Sequence, residues 1–345
     1  EKFDLSRLIK SILFLRFFIF LFIIYHLSKF DIISYKSFFV FCSIFPVLIS
    51  IDVIFQYTFG FNVIGMKGLV RHNSSFFGDE LISGGYIQNF AFFSILFFTK
   101  KIRDQNNFFN GSFLILIICI LTIGILLSGN RMHFALFIFG LFILFFLEKN
   151  LKKILLISFL IISIIYVSLL SVDQNLRSAQ GHFYNYSKQA IVAVSKKVKS
   201  NLFSSKQEEK ELEKKWKTQL KEDPEQNSQK KLALTAIETW KKNKIFGNGI
   251  KSFRVECKKI VIEQRRGLCS NHPHNYYLEI LVDLGIVGII LVVVIAFAFL
   301  IFLSRNFNSL TTGKNLENLF LLAAIISLFL EVFPLKSSGS IFSTN

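Results

Sequence analysis

One histidine and two arginines set the chemical possibilities of this 345-residue sequence. His274 stands near the end of a short polar stretch, Asn271-His272-Pro273-His274-Asn275, that leads straight into an apolar segment. An imidazole at such a boundary titrates near neutrality and can take a proton from a hydroxyl group. A lone histidine there is ordinarily a satisfied loop residue, and His272 carries no more than that reading. Arg71 and Arg131 stand in polar breaks between apolar runs. A guanidinium is permanently charged and forks onto two oxygens, which suits a diphosphate. The ordinary readings are a solvated loop charge for Arg71 and a snorkelling helix-end residue for Arg131. Gly247 and Gly249 could cap and turn a helix or cradle a phosphate; their spacing is not that of a P-loop, and the cap and turn is the simpler reading.

The elements that must position these groups are membrane helices. The chain is 52% hydrophobic, holds 43 Phe and has a mean hydropathy of +0.50, too apolar and too clustered for a soluble domain. Eight apolar runs approach the roughly 20 residues that cross a bilayer as a helix: 11–26, 38–55, 82–98, 112–128, 132–147, 154–171, 277–302 and 319–333. The third carries Gly84, Gly85, Gln88 and Asn89, and is expected to face protein or a wet cavity rather than lipid. The first lacks a small-residue cleavage site and reads as an anchor. The chain starts at Glu1 without Met, so further helices are expected in a longer protein. The expected fold is thus an all-α polytopic membrane protein. Residues 1–171 and 277–345 form its helix bundle, and 172–276 form one large, mostly helical loop.

Charge orients it. Loops after the first, third, fifth and seventh runs hold ten Lys and Arg, whereas the other short loops hold only Lys67, Arg71 and Arg131. The richer set is expected in the cytoplasm, which puts Arg71, Arg131 and residues 172–276 outside. The N-terminus also comes out on the outer side despite Lys2, Arg7 and Lys10, which missing upstream helices or a miscounted helix would explain. The net charge of +17 comes largely from short loops and one hydrophilic stretch. Membrane topology and anionic headgroups account for it better than nucleic acid does. Residues 205–221 are nearly all charged and read as a solvated helix. In an oxidising compartment Cys257 and Cys269, twelve residues apart, are expected to pair, whereas Cys42 and Cys119 lie in apolar runs as small core residues. No CxxC or clustered His and Asp pattern indicates a metal.

His274 and Asn275, nine further residues, then Gly285, two residues and Gly288 resemble the signature of the O-antigen ligase and polymerase superfamily. Pro273 and Tyr276 fit it too. Weaker similarities occur in the family's order along the chain: Arg71 followed by an aromatic and glycine stretch, Arg131 in Leu-Leu-Ser-Gly-Asn-Arg, and the helix and turn carrying Gly247 and Gly249. The chain lacks the Pro-Asn often seen near Glu80, and the arginine segment is one residue longer than the family's Ser-x-Arg. The resemblance implies metal-independent, cofactor-free glycan transfer from undecaprenyl diphosphate at the periplasmic face of a bacterial inner membrane. The acceptor is lipid A core for a ligase and a second lipid-linked glycan for a polymerase, with ligation the first reading. His274 is then the general base or acceptor-positioning group, with Arg71, Arg131 and Asn275 binding substrate at one cavity. Gly285 and Gly288 are expected to admit a neighbouring helix. A transporter or flippase is the competing class, but the two related halves such folds carry are not evident. A non-enzymatic assembly subunit is a third, and it predicts no dependence on His274.

Overall fold

The computed structural model describes residues 12–13, 15–30, 32, 34–69, 72–104, 108–178, 180–181, 184, 224–264, 268–312 and 315–342. Arg71 and the charged stretch 205–221 lie outside these residues. The described chain is helical; its strand-like features are isolated bridges, Phe61 with Lys67 and Leu69 with His72. It divides into two units, one of His26–Gly181 with Phe302–Phe333, the other of Glu1–Tyr25, His182–Ile301 and Pro334–Asn345.

The first unit is a helix bundle of α2 (Tyr35–Phe59), α3 (Ser83–Asp104), α4 (Phe108–Leu127), α5 (Arg131–Leu147), α6 (Lys152–Val172) and α10 (Leu316–Glu331), preceded in the chain by α1 (Leu15–Lys29). α3 is its central helix, packed against α2, α4, α5 and α10. It buries Ile87, Ala91, Phe92, Ile95 and Leu96 completely, and Gln88 with them. The polar third run therefore faces protein. In lipid, helices associate by close packing rather than by expulsion of water, so small residues matter at contacts. A Cβ on Gly124 of α4 would stand 2.6 Å from the Cβ of Ser50 on α2. Ser50 in turn donates its hydroxyl to the carbonyl of Pro46, inside α2. α2 ends where Gly60, at φ +81, returns its N–H to Gln56.

Outer faces are apolar and exposed, among them Phe18, Phe20, Phe22, Leu156 and Leu160, as expected of surfaces that meet lipid. Three helices among the described residues are long and apolar enough to cross a membrane: Tyr35–Phe59, Lys149–Val172 and Tyr276–Leu310. Gly111–Leu127 and Arg131–Leu147 are shorter apolar helices. Among the described residues, three of the eight runs thus form helices of full spanning length and apolarity. Run 82–98 forms the longer α3, which is too polar at its start to count, and run 319–333 forms the 16-residue α10.

The second unit holds α7 (Pro224–Trp240), α8 (Phe253–Gln264) and the start of α9 (Tyr276–Thr312). Leu232, Ala236, Phe253, Cys257 and Val282 make its small core, with Trp240, Cys269 and Leu278 packed around it.

Candidate functional site

The His274 loop is fixed from below by the helix it precedes. Asn275 caps α9: its Oδ1 accepts from the N–H groups of Tyr277 and Leu278, each at 3.1 Å. Its Nδ2 donates to the carbonyl of Pro334 at 2.8 Å. Both ends of the amide are therefore engaged within the protein, which makes Asn275 an organiser of the loop. His274 itself has φ +54, a left-handed conformation that costs a residue with a Cβ about 1–3 kcal/mol and persists only where neighbours hold it. Its carbonyl accepts from Ser338 N–H at 3.1 Å. Its ring lies 4.2 Å from that of His272, tilted by 57°.

The His274 side chain keeps an exposed surface, yet its imidazole sits below the ordinary 6.5. Burial of part of the ring is the main cause and the charge of His272 adds to it; the Ser338 backbone and Glu279 pull the other way. His272 is lowered too, by burial, and its Nε2 is buried with no hydrogen-bond partner among the described residues. A neutral imidazole at neutral pH is a competent proton acceptor.

The cap residue Asn275 and, on the same face of α9, Glu279 and Asp283 follow at spacings of four; the first two tie the helix to residues 334–341 and the third ties it to Lys251 and Ser252. Glu279, 2% exposed, accepts from Ser340 Oγ and, at 2.8 Å, from Ile341 N–H. Asp283, 1% exposed, accepts from Lys251 N–H at 2.7 Å and from Ser252 Oγ at 2.8 Å. Sequence reasoning passed over both acids. Their signal was present, since carboxylates one turn apart in an otherwise apolar run need partners.

α9 breaks at Gly285, where φ is +66 and ψ −157. The segment carrying Gly247 and Gly249 fills the break. Asn248 N–H donates to Val282 O at 2.8 Å and Gly249 N–H to Asp283 O at 3.0 Å. Beyond the break, Ile286 and Val287 donate back to Lys244 O and Ile245 O. The orphaned groups of the broken helix are thereby satisfied by backbone. The close approach expected at Gly285 is made, among the described residues, by the backbone of Ile245 and Gly247, because broken helical hydrogen bonds need backbone partners. A Cβ on Gly288 would meet side chains of its own helix, Leu284 and Ile280.

Arg131 belongs to the bundle unit and lines a cavity of about 260 Å³ at the end where α2, α4 and α6 finish and α5 begins. Gln56, Tyr57, His72, Asn73, Asp173 and Gln180 share that lining. Among the described residues the guanidinium has no hydrogen-bond or ion-pair partner. It stands in the first turn of α5, where the helix dipole disfavours a cation and favours an anion. Tyr57 donates to Asp173 Oδ2 at 2.8 Å. Burial alone would raise the Asp173 carboxyl, but hydrogen bonds from Leu176 N–H, the Tyr57 hydroxyl and Asn175 N–H outweigh it and hold it below its usual value.

A buried network fastens the loop that leads to this cavity. Asp52, 2% exposed, accepts from Val63 N–H and Ser75 Oγ, Gln56 accepts from Ser75 N–H, and Asn62 accepts from Ile64 and Met66 N–H. His72 Nδ1 is 3.3 Å from Ser128 O. Arg71 precedes it in sequence but is not among the described residues. Arg131 and His274 thus belong to different units, each characterised by itself.

Cys257 and Cys269 form a disulfide with Cα atoms 5.4 Å apart, and Cys42 and Cys119 are free and buried. No group of three or more His, Cys, Asp or Glu among the described residues is placed to hold a metal ion.

A family model described as O-antigen ligase matches residues 113–293, a span that includes Arg131, both cysteines of the disulfide, His274 and the Gly285 break. No curated protein and no solved structure matches the chain.

Proposed function

Since the chain belongs to the O-antigen ligase family, whose model covers more than half of it, we propose that it moves a glycan from undecaprenyl diphosphate to an acceptor hydroxyl at the periplasmic face of a bacterial inner membrane. The acceptor is lipid A core, in keeping with the ligase description of the family.

His274 is the general base. The acceptor oxygen attacks the anomeric carbon, its proton passes to the imidazole, and the bond from that carbon to the diphosphate oxygen breaks, releasing undecaprenyl diphosphate. Arg131 and Arg71 receive the diphosphate, whose charge grows as the bond breaks; donors fixed there act most strongly in the transition state. Asn275 orients the base through the helix cap. The outward side of the site rests on the Lys and Arg asymmetry of the short loops.

The observation that carries the reading is His274 itself: a ring with exposed surface, lowered towards its neutral form, on a residue held in a left-handed conformation by a capped helix. Lipopolysaccharide banding from a knockout strain tests the reading. Core-only glycolipid with accumulated long lipid-linked polymer supports ligation. A single repeat on the core would reassign the chain to polymerisation, and unchanged banding would remove both.

A further inference from the structure

Residues 334–342 form a strap that returns over the beginning of α9 and is fastened to it at three places. Pro334 O accepts from Asn275 Nδ2 at 2.8 Å, Ser338 N–H donates to His274 O at 3.1 Å, and Ser340 Oγ and Ile341 N–H both donate to Glu279. The first two contacts hold the base-bearing loop itself. The third is a carboxylate buried to 2% exposure one helical turn from Asn275, an expensive group to bury unless it is bonded. Nothing in the chemistry assigned so far uses it.

We propose that Glu279 is a positioning residue for His274: its carboxylate clamps the strap of residues 334–342 onto α9, the strap fixes the His274 backbone, and the negative charge beneath the loop supports the imidazole when it takes up a proton. The inference rests on the base role given to His274 above. Three features carry it. The strap's hydrogen bonds join Glu279 and His274 through four residues of chain, Ser338 to Ile341, short enough to transmit a displacement. The left-handed His274 needs such an external hold. Glu279 also interacts with His274 by charge, opposing the lowering caused by burial and by His272. The charged groups that interact with Glu279 are Lys251 from the turn, His274 from the loop and Asp283 one turn further along α9, while His272 acts on His274.

Glu279→Gln in the full chain, in lipid nanodiscs, separates the charge from the clamp. Glutamine keeps an acceptor for Ile341 N–H and a group that can pair with Ser340. Two readouts are needed. The first is the pH dependence of His274 acylation by diethyl pyrocarbonate, followed by peptide mass spectrometry, which reports the imidazole whether or not the protein transfers glycan. The second is transfer from a purified undecaprenyl-diphosphate-linked donor. The acylation midpoint should move to lower pH in Glu279→Gln. Transfer at saturating donor should fall about 10-fold, a part of the roughly 100-fold to 10,000-fold that a general base contributes, with donor KM changed less than about 2-fold. Ser340→Ala, which leaves the charge, should slow transfer without moving the midpoint. An unmoved midpoint in a folded Glu279→Gln protein overturns the inference, even if transfer drops, because a merely structural carboxylate would behave that way. A shifted midpoint in a protein that transfers nothing even as wild type would keep the positioning role and remove the glycosyltransferase reading instead.

Discussion

Gly247 and Gly285 meet backbone to backbone: a Cβ on Gly285 would lie 2.5 Å from the nitrogen of Gly247, and a Cβ on Gly247 would lie 2.5 Å from the nitrogen of Leu284. Both residues also have positive φ, +71 and +66. Gly249 nearby has φ +93 but nothing within 4 Å of where a Cβ would stand. Conformation and contact are therefore separable within one turn.

Alanine at Gly249 should incur only the left-handed penalty, about 1–3 kcal/mol. Gly247→Ala and Gly285→Ala should cost more, since the obstacle in each case is main chain that cannot rotate away. Thermal unfolding in detergent should rank Gly249→Ala clearly above the other two. Equal losses at all three would mean that the turn does not dock in the helix break.

This pair shows what the sequence could and could not reveal. The glycine spacing was legible and pointed at close backbone approach, but a pattern in one dimension does not say which partner approaches. The helix break was invisible because residues 276–302 are apolar on both sides of Gly285 and read as one span. Gln88 and Asn89 were legible as protein-facing, because polar amides have few other places in a lipid-facing run. The strap of residues 334–342 left almost no trace. The groups it offers are mostly its own backbone, Pro334 O and the N–H groups of Ser338 and Ile341, and backbone groups carry no sequence signal. Glu279 and Asp283 could have been found by asking where two carboxylates in an apolar helix find donors.

The disulfide between Cys257 and Cys269 ties α8 to the segment ahead of the His274 loop. Closing a loop of this length stabilises by roughly 2–4 kcal/mol. Leu268 N–H also bonds Thr235 Oγ1 at 3.2 Å, so the cross-linked segment is docked on α7 as well. Cys269→Ser should lower the unfolding temperature and slow transfer, and unreduced peptide maps of protein matured outside the cytoplasm should contain the linked pair. Two free thiols in such protein would refute the pairing and the outward placement of this segment together.

His274 gives a pH signature with a defined sign. Its imidazole is lowered in the folded protein, so folding favours the neutral form. Above the ordinary 6.5 both folded and unfolded states are neutral and the group contributes nothing to pH dependence. As pH falls below 6.5 the unfolded chain takes its proton first, stability declines, and the decline ends below the folded value. With His274 as the proposed base, the acid limb of kcat/KM against pH, which reports the free protein, should have its midpoint below 6.5 and vanish in His274→Ala. A midpoint at or above 6.5 would contradict the environment described for the ring. Transfer by His274→Ala should be reduced by about 100-fold to 10,000-fold.

Arg131 is placed where stability and function pull in opposite directions. A cation in the first turn of a helix opposes the dipole, at a cost of about 0.3–1 kcal/mol. Its guanidinium has no partner among the described residues to offset that cost, although it lines a cavity with Tyr57, His72, Asp173 and other polar groups. A residue kept for packing or for a structural ion pair would show the reverse balance. Arg131→Ala should therefore leave the unfolding temperature unchanged or slightly raised while transfer falls by at least roughly 100-fold, the scale set by losing one donor to a developing anion. Arg131→Lys should recover little of it, because the point charge remains but the fork that grips two phosphate oxygens does not. Binding of inorganic pyrophosphate, measured by calorimetry on the nanodisc protein, should weaken in both variants and respond to salt as a charged contact does. If Arg131→Ala instead unfolds several degrees earlier and transfers normally once folded, the residue belongs to the architecture of the cavity rather than to the donor.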